Sequence, residues 1–241
     1  MDSAAPSANP PVSVVVPFYN EEENVRLVLE ELRRCLPEAE IIAVDDGSKD
    51  GTWAVICSMP DIRGLRLTQN RGQSGALYAG FRRARAPLCA MMDGDGQNDP
   101  ADFPKLIELV QSGQADVAVG LRAKRKDTWS RRVASKVANR IRRMFLDDGV
   151  RDTGCALKVF KKEAVELLVP FNGLHRYLPA IFKHAGLRLA EVPVNHRPRE
   201  HGASKYTNWD RALRGIYDLV GVAWLLRRKI VYPPVEDTLK S

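Results

Sequence analysis

Three acidic segments each follow an apolar run in the chain. Pro17-Phe18-Tyr19-Asn20-Glu21 follows Val12 to Val16, Asp45-Asp46-Gly47-Ser48-Lys49-Asp50-Gly51-Thr52 follows Ile41 to Val44, and Asp93-Gly94-Asp95-Gly96-Gln97 follows Leu88 to Met92. Asp93 and Asp95 flank a glycine, so both carboxylates can face one point with little steric cover. That arrangement suits a hard divalent cation, Mg2+ or Mn2+, held by a few oxygens together with a ligand's phosphates. The alternative is a turn rich in Asp and Gly that only ends a strand. The first apolar run is followed by neither GxGxxG nor GxxxxGK[ST], which excludes a dinucleotide fold and a P-loop triphosphatase.

These segments need a scaffold that brings them together. Val12 to Val16 is an unbroken β-branched run, the pattern of a strand buried on both faces among parallel neighbours. Asn20 is placed to cap a helix whose first turn carries Glu21, Glu22 and Glu23 and whose apolar residues Val25, Val28, Leu29 and Leu32 share one face. The unit repeats with strands at Ile41 to Val44, Leu65 to Leu67 and Leu88 to Met92, and helices near Asp50 to Cys57, Ser74 to Ala84 and from Pro100. Further strands are expected at Asp116 to Val119, Thr153 to Phe160 and Leu187 to Val192, with helices near Lys161 to Leu168 and His175 to His184. Such alternation predicts an α/β fold, an open, mostly parallel sheet with helices on both faces. Ligands then bind beyond the carboxyl ends of the strands, where the acidic segments lie.

The 241 residues hold Lys+Arg 37 against Asp+Glu 30, a net charge of +7, unevenly spread. Residues 1 to 60 contain 4 basic and 11 acidic side chains, and Arg122 to Arg143 contains ten basic residues and one acid. Nucleic acid, an anionic membrane or a phosphorylated substrate would each suit the basic part, as would a plain solvated helix face. Nucleic-acid binding is disfavoured because only Trp129 and Phe145 accompany the basic run. Cys35, Cys57, Cys89 and Cys155 show no CxxC spacing and are expected to be reduced, and His175, His184, His196 and His201 have no metal-ligand spacing and read as surface or packing residues. No apolar stretch approaches the roughly 20 residues needed to span a bilayer, and residues 1 to 10 lack the features of a signal peptide, which gives a cytoplasmic expectation.

Taken jointly, the motifs VVVPFYNEEENV, VDDGSKDGT, NRGQSGALYAGF, MMDGDGQNDP, GLR at Gly120 to Arg122, DTGCALKVFKK and RPREHGASKY resemble the family 2 glycosyltransferases of the GT-A (Rossmann-like) fold. Within that family they are most similar to the dolichyl- and polyprenyl-phosphate sugar (mannosyl)transferases. The resemblance covers roughly Val12 to Tyr206, and with the chain's composition it gives a disordered leader at 1–10, a GT-A glycosyltransferase domain at 11–207, an amphipathic helix at 208–229 and a tail at 230–241 as the expected organisation. It implies that Pro17, Tyr19, Glu21, Val44 and Asp46 hold the nucleoside of a UDP- or GDP-linked sugar. For Glu21, plain helix N-terminal charge is an equal alternative. Asp93, Asp95 and Gln97 would bind the metal, with Gly94 letting the diphosphate approach. Arg122, Arg131 with Ser135, and Arg199 with Ser204 and Lys205 would gather on the acceptor phosphate, a task suited to the planar fork of arginine. Asp95, Arg122 and Arg199 are then the expected catalytic residues.

The implied reaction is an inverting displacement at the anomeric carbon. A hydroxyl acceptor needs a general base, whereas a phosphate monoester, with a second pKa near 6, is already an anion. Relatives that attack hydroxyls usually carry an acidic pair where this chain has Asp152-Thr153-Gly154, so the single Asp152 favours a polyprenyl phosphate. A saccharide or other hydroxyl acceptor is the alternative. On the last helix Leu213, Ile216, Tyr217, Val220 and Trp224 form a stripe flanked by Arg211, Arg214, Arg227, Arg228 and Lys229, which suits a peripheral position on the cytosolic face of a membrane. A helix packed on the catalytic domain, or joining two chains in a homo-oligomer, is the other reading.

Overall fold

The apolar runs become strands β1 (Val12–Phe18), β2 (Glu40–Asp45), β3 (Arg63–Arg66), β4 (Leu88–Met91), β5 (Val117–Arg122), β6 (Lys158–Lys161) and β7 (Leu189–Val194). The computed structural model describes residues 9–122, 142, 145–146, 148–198 and 208–228, with the backbone alone for 208–214 and 216. Among these residues the strands form one sheet in the order β3-β2-β1-β4-β6-β5-β7. β1 pairs in parallel with β2 and β4, β2 with β3, and β5 with β7, while β6 runs antiparallel to both β4 and β5. The strand order reverses at β1, between β2 and β4, which makes the gap beyond β1 and β4 the natural ligand crevice.

Six helices flank the sheet among the described residues: α1 (Glu22–Cys35), α2 (Thr52–Cys57), α3 (Gly72–Phe81), α4 (Phe103–Gln111), α5 (Leu174–His184) and α6 (Asn208–Arg228). The pleat sends alternate side chains to opposite faces. Val12, Val14 and Val16 meet Val25, Leu29 and Leu32 of α1 and Phe103 and Leu106 of α4 in one layer. Val15, Ile42, Val44 and Met91 meet Leu77 and Phe81 of α3, Leu178 and Phe182 of α5, and Leu219 and Leu226 of α6 in the other. Phe160 anchors the second layer, with its ring centroid 5.2 Å from that of Phe81 and 5.0 Å from that of Phe182.

Several sequence expectations shift. The strand expected at Thr153 to Phe160 is shorter, starting at Lys158. Residues 152–157 instead form a turn and an extended lead-in at the sheet edge. Because β6 enters from that edge, Met91 of β4 and Val119 of β5 both lie opposite Lys158. The expected helix at Lys161 to Leu168 is a 3-10 helix over Lys162–Leu167. Asn20 does not cap α1, which starts after Glu21 without a side-chain cap. It takes a left-handed φ of 51°, a conformation asparagine tolerates better than most residues.

α6 divides its apolar residues between two faces. Leu219, Val222, Ala223 and Leu226 recur at helical spacing and are buried in the core, while Tyr217, Val220 and Trp224 are 82%, 52% and 63% exposed. Packing on the sheet therefore uses a stripe different from the one singled out in the sequence. The side chains of Leu213 and Ile216 lie outside the described residues. No described helix is long and apolar enough to cross a membrane. Leu226→Ala is expected to cost about 2–4 kcal/mol of stability and Trp224→Ala less than about 0.5. Urea unfolding measures both, and equal losses would contradict the division of faces.

Candidate active site

Hydrogen bonds from the loop after β1 to the loop after β2 tie the two together. The Asn20 N–H donates to Ser48 Oγ at 2.9 Å, Asn20 Oδ1 accepts from the Lys49 N–H at 2.8 Å, and the Glu21 N–H donates to Thr52 Oγ1 at 3.0 Å. Pro17, Tyr19 and Glu21 are half-buried at this edge, and Glu21 Oε2 accepts from Asn24 Nδ2 at 2.6 Å. Val44 lies at the end of β2. Its side chain is fully buried in the core, so it supports the edge from beneath and offers no surface to a nucleoside. Asp46 is also buried, and its carboxylate accepts from the N–H groups of Arg71, at 2.7 Å, and Gly72. It holds the N-terminus of α3 against the sheet. Burial, with some help from Asp45, raises its pKa despite those bonds.

The turn after β4 carries the DGD motif. Asn98 Oδ1 accepts from the Asp93 N–H at 3.1 Å, and Asp95 Oδ1 accepts from the Gln97 N–H at 3.2 Å. A Cβ on Gly94 would fall 2.5 Å from the Phe18 ring and 2.8 Å from the Pro17 carbonyl oxygen. The glycine thus lets the turn press on the end of β1, which is a packing reason distinct from the diphosphate approach expected of it. Asp93 Oδ1 accepts from Gln73 Nε2 at 2.5 Å. Burial, followed by repulsion from Asp95, pushes the Asp93 carboxyl up to about 6, against the pull of Lys158, Gln73 and Arg122. A divalent cation would offset that crowding, and the oxygens of Asp93, Asp95 and Gln97 are of the right chemical kind for it. No group of three His, Cys, Asp or Glu suited to a metal occurs among the described residues. Phosphate oxygens would have to complete the coordination.

A clamp joins this turn to the segment that leads into RPREHGASKY. Asn98 and His196 form an antiparallel bridge, the Arg197 N–H donates to the Gln97 carbonyl at 2.9 Å, and Gln97 Nε2 reaches the Arg197 carbonyl at 3.5 Å. The Arg197 guanidinium pairs with Glu31 of α1 at 2.8 Å and with Asp99 at 2.8 Å. Arg199, Ser204 and Lys205, like Arg131 and Ser135, lie outside the described residues.

Arg122, at the end of β5, forms a two-pronged pair with Asp152. Nε donates to Oδ2 and Nη2 to Oδ1, each at 2.7 Å, with side chains only 15% and 10% exposed. A Cβ on Gly154 would sit 2.9 Å from Arg122 Nη2, so the glycine makes room for the guanidinium. Beneath lies Lys158, fully buried, whose Nζ donates to the carbonyls of Cys155 and Thr153. Burial lowers its pKa, opposed by Cys155, Asp93 and Asp152.

Lys158 helps to line a cleft of about 220 Å³ together with Gln73, Asp93, Gly154, His175 and Arg176. His175 Nδ1 is 2.8 Å from Ser74 Oγ, which accepts from the Gly173 N–H at 3.0 Å. Burial, reinforced by Arg176 and Lys158, pushes its imidazole down to about 3, so it is neutral at working pH. Sequence reasoning did not assign Gln73, Lys158, His175, Arg176 or Arg197 to the site. A lysine inside the apolar run Cys155 to Phe160 was the available signal for Lys158. For His175 and Arg176 no local signal exists, because the packing of α5 against α3 brings them to the cleft.

The family model for glycosyl transferase family 2 matches residues 13–168, a span that holds all three acidic loops, Arg122 and Asp152. The chain belongs to glycosyl transferase family 2. This glycosyltransferase is 35% identical to the dodecaprenyl-phosphate galacturonate synthase of Rhizobium johnstonii over 232 residues, 90% of the chain and 68% of that relative. Its fold matches glucosyl-3-phosphoglycerate synthase from Mycobacterium tuberculosis, solved with Mn2+, UDP-glucose and phosphoglyceric acid, at a TM-score of 0.70 and 20% identity over 91% of this chain and 80% of that one. A mannosyltransferase from Pyrobaculum calidifontis, solved with GDP-Man and Mn2+, matches at 0.62 and 18% over 93% and 72%. The mixed, mostly parallel sheet with flanking helices is thus the GT-A-like architecture that the motifs implied.

His175 gives the glycosyltransferase a pH signature. Its folded pKa lies below the ordinary 6.5, so the unfolded chain takes up the proton first and stability is lost as pH falls from 6.5 toward about 3. Relative to His175→Gln, the parent should lose on the order of 1 kcal/mol per pH unit across that window. Parallel stability curves in urea at pH 4.5 to 7.5 would contradict the burial of a neutral imidazole.

Proposed function

We propose that this glycosyltransferase moves a sugar, with inversion, from a UDP- or GDP-linked donor to a polyprenyl phosphate at the cytosolic face of a membrane. One observation carries the reading: both oxygens of Asp152 are engaged by the Arg122 guanidinium. A carboxylate so held is a poor general base. The remaining acid lining the cleft is Asp93, assigned to the metal, and His175, held neutral down to about pH 3, is too weak a base to serve. An acceptor that is already an anion needs none of them. The name of the Rhizobium relative, which pairs a uronic acid with dodecaprenyl phosphate, supports the same choice of acceptor.

In this reading the bond from the anomeric carbon to the nucleotide diphosphate breaks, a lipid phosphate oxygen bonds to that carbon from the opposite face, and the diphosphate leaves with the electron pair. No proton need move. Asp93, Asp95 and Gln97 would hold Mg2+ or Mn2+, which when bound supplies positive charge to the departing diphosphate. Pro17, Tyr19 and Glu21 border the nucleoside, and Asp46 acts through the α3 N-terminus. Gln73 orients Asp93 through its hydrogen bond. Arg122, fixed by Asp152, turns its remaining N–H groups toward phosphate, joined by Arg131 with Ser135 and by Arg199, Ser204 and Lys205. The clamp through Arg197 fixes where that last loop starts relative to the metal turn.

The exposed residues of α6 support a peripheral membrane position. Tyr217, Val220 and Trp224 offer an apolar strip, followed by exposed Arg227 and Arg228. Basic groups near anionic lipid contribute about 1 kcal/mol each. Trp224→Glu should lower sedimentation with anionic vesicles about tenfold or more while leaving donor binding intact; unchanged sedimentation would remove α6 from the interface.

Incubating the protein with labelled nucleotide sugar, Mn2+ and a short prenyl phosphate should give an organic-extractable, acid-labile product. Asp95→Ala should lower turnover by at least about a hundredfold and blunt the response to Mn2+. Transfer to a saccharide instead of the lipid would favour the hydroxyl-acceptor alternative, and a normal metal response in the variant would take Asp95 out of the metal site.

A further inference from the structure

The cleft beneath the DGD turn has more positive charge than a neutral sugar needs. We infer that it selects a donor whose sugar carries a carboxylate, and that Arg176 is the residue that reads it; this rests on the donor-sugar reading of the site. At about 220 Å³ the cleft is smaller than the roughly 300 Å³ and upward of drug-sized sites, which suits a single monosaccharide ring. Its lining includes one acid, Asp93, and two cations, Lys158 and Arg176. A divalent cation would offset Asp93 and Asp95, and the donor's diphosphate would meet the buried Lys158, which leaves Arg176 at the mouth to face the sugar.

The two cations differ in what they still have to offer. Lys158 is fully buried and spends donors on the carbonyls of Cys155 and Thr153. Arg176 is exposed at the mouth, and among the described residues no carboxylate pairs with its guanidinium. It also stands in the first turn of α5, where the helix dipole disfavours a cation. The chain thus accepts a locally unfavourable charge beside the site, the kind of conflict that functional positions carry. An intact planar fork matches a carboxylate with two parallel hydrogen bonds. Beside it, the neutral His175, oriented by Ser74 at 2.8 Å, is left to read a sugar hydroxyl.

The test is equilibrium binding by calorimetry with Mn2+ present, using two matched donor pairs, UDP-galacturonate with UDP-galactose and GDP-mannuronate with GDP-mannose, and the bare diphosphates UDP and GDP. In at least one pair the acidic sugar should bind about ten- to a hundredfold tighter, as a charge-assisted hydrogen-bond pair provides. Arg176→Gln should reduce that preference to within about threefold, leave the neutral sugar and the bare diphosphate unchanged, and keep the parent's melting temperature. Three results overturn the inference: no preference in either pair, whether both members bind or neither does; a preference that survives the substitution; or an equal loss for bare diphosphate, which would assign Arg176 to the phosphates. Transfer assays on prenyl phosphate test the acceptor separately, so acid-selective binding without lipid transfer would sink the proposed function and leave this inference standing.

Discussion

Two half-buried carboxylates share the turn after β4, and much of the structure around Asp93 and Asp95 bears on their burial and mutual repulsion. Gly94 presses the turn onto Phe18, Gln73 reaches over from α3 to bond Asp93, and Lys158 and Arg122 lend positive charge from β6 and β5. Even so burial, followed by repulsion from Asp95, pushes the Asp93 carboxyl up to about 6. A site in that condition binds cations readily, and in the proposed reaction it does so where negative charge builds on a departing diphosphate.

The antiparallel strand β6 ties this turn to the acceptor side. Because it enters between β4 and β5 from the carboxyl edge, it carries residues 152–157 and Lys158 into the ligand crevice, where an all-parallel order would have placed only the ends of β4 and β5. Asp152 then meets Arg122, whose guanidinium engages both carboxylate oxygens, and in the proposed reaction that pair supports a phosphate-facing guanidinium in place of a base. A second tie, through Arg197 to Gln97, Glu31 and Asp99, fixes the end of the segment after β7 against the metal-candidate turn.

Much of this was legible in the sequence. Unbroken β-branched runs and the acidic loops behind them gave the parallel strands, their common edge and the cation turn. The direction of β6 was not legible, since four residues of strand pair either way and tertiary contacts decide. Val44 lies beside a functional loop, yet on the strand its side chain points into the core, which the sequence alone does not say. On α6 the sequence offers two apolar stripes, and periodicity alone does not say which meets the sheet. His175 and Arg176 became site residues only through the docking of α5 on α3, a long-range event with no local trace. Lys158 was readable in principle, because a lysine within an apolar run has to be buried with partners.

The central claim is that the nucleophile brings its own negative charge and the protein supplies no base. The pH dependence of kcat/KM for the acceptor, at saturating Mn2+, tests it most directly when a prenyl phosphate is compared with a prenyl difluoromethylenephosphonate, whose second pKa is lower. The account predicts an ascending limb near pH 6 for the phosphate that moves down with the acceptor's own ionisation and keeps its shape in Asp152→Asn. A limb that stays fixed when the acceptor is changed, and disappears in Asp152→Asn, would show that Asp152 is the base and would contradict it.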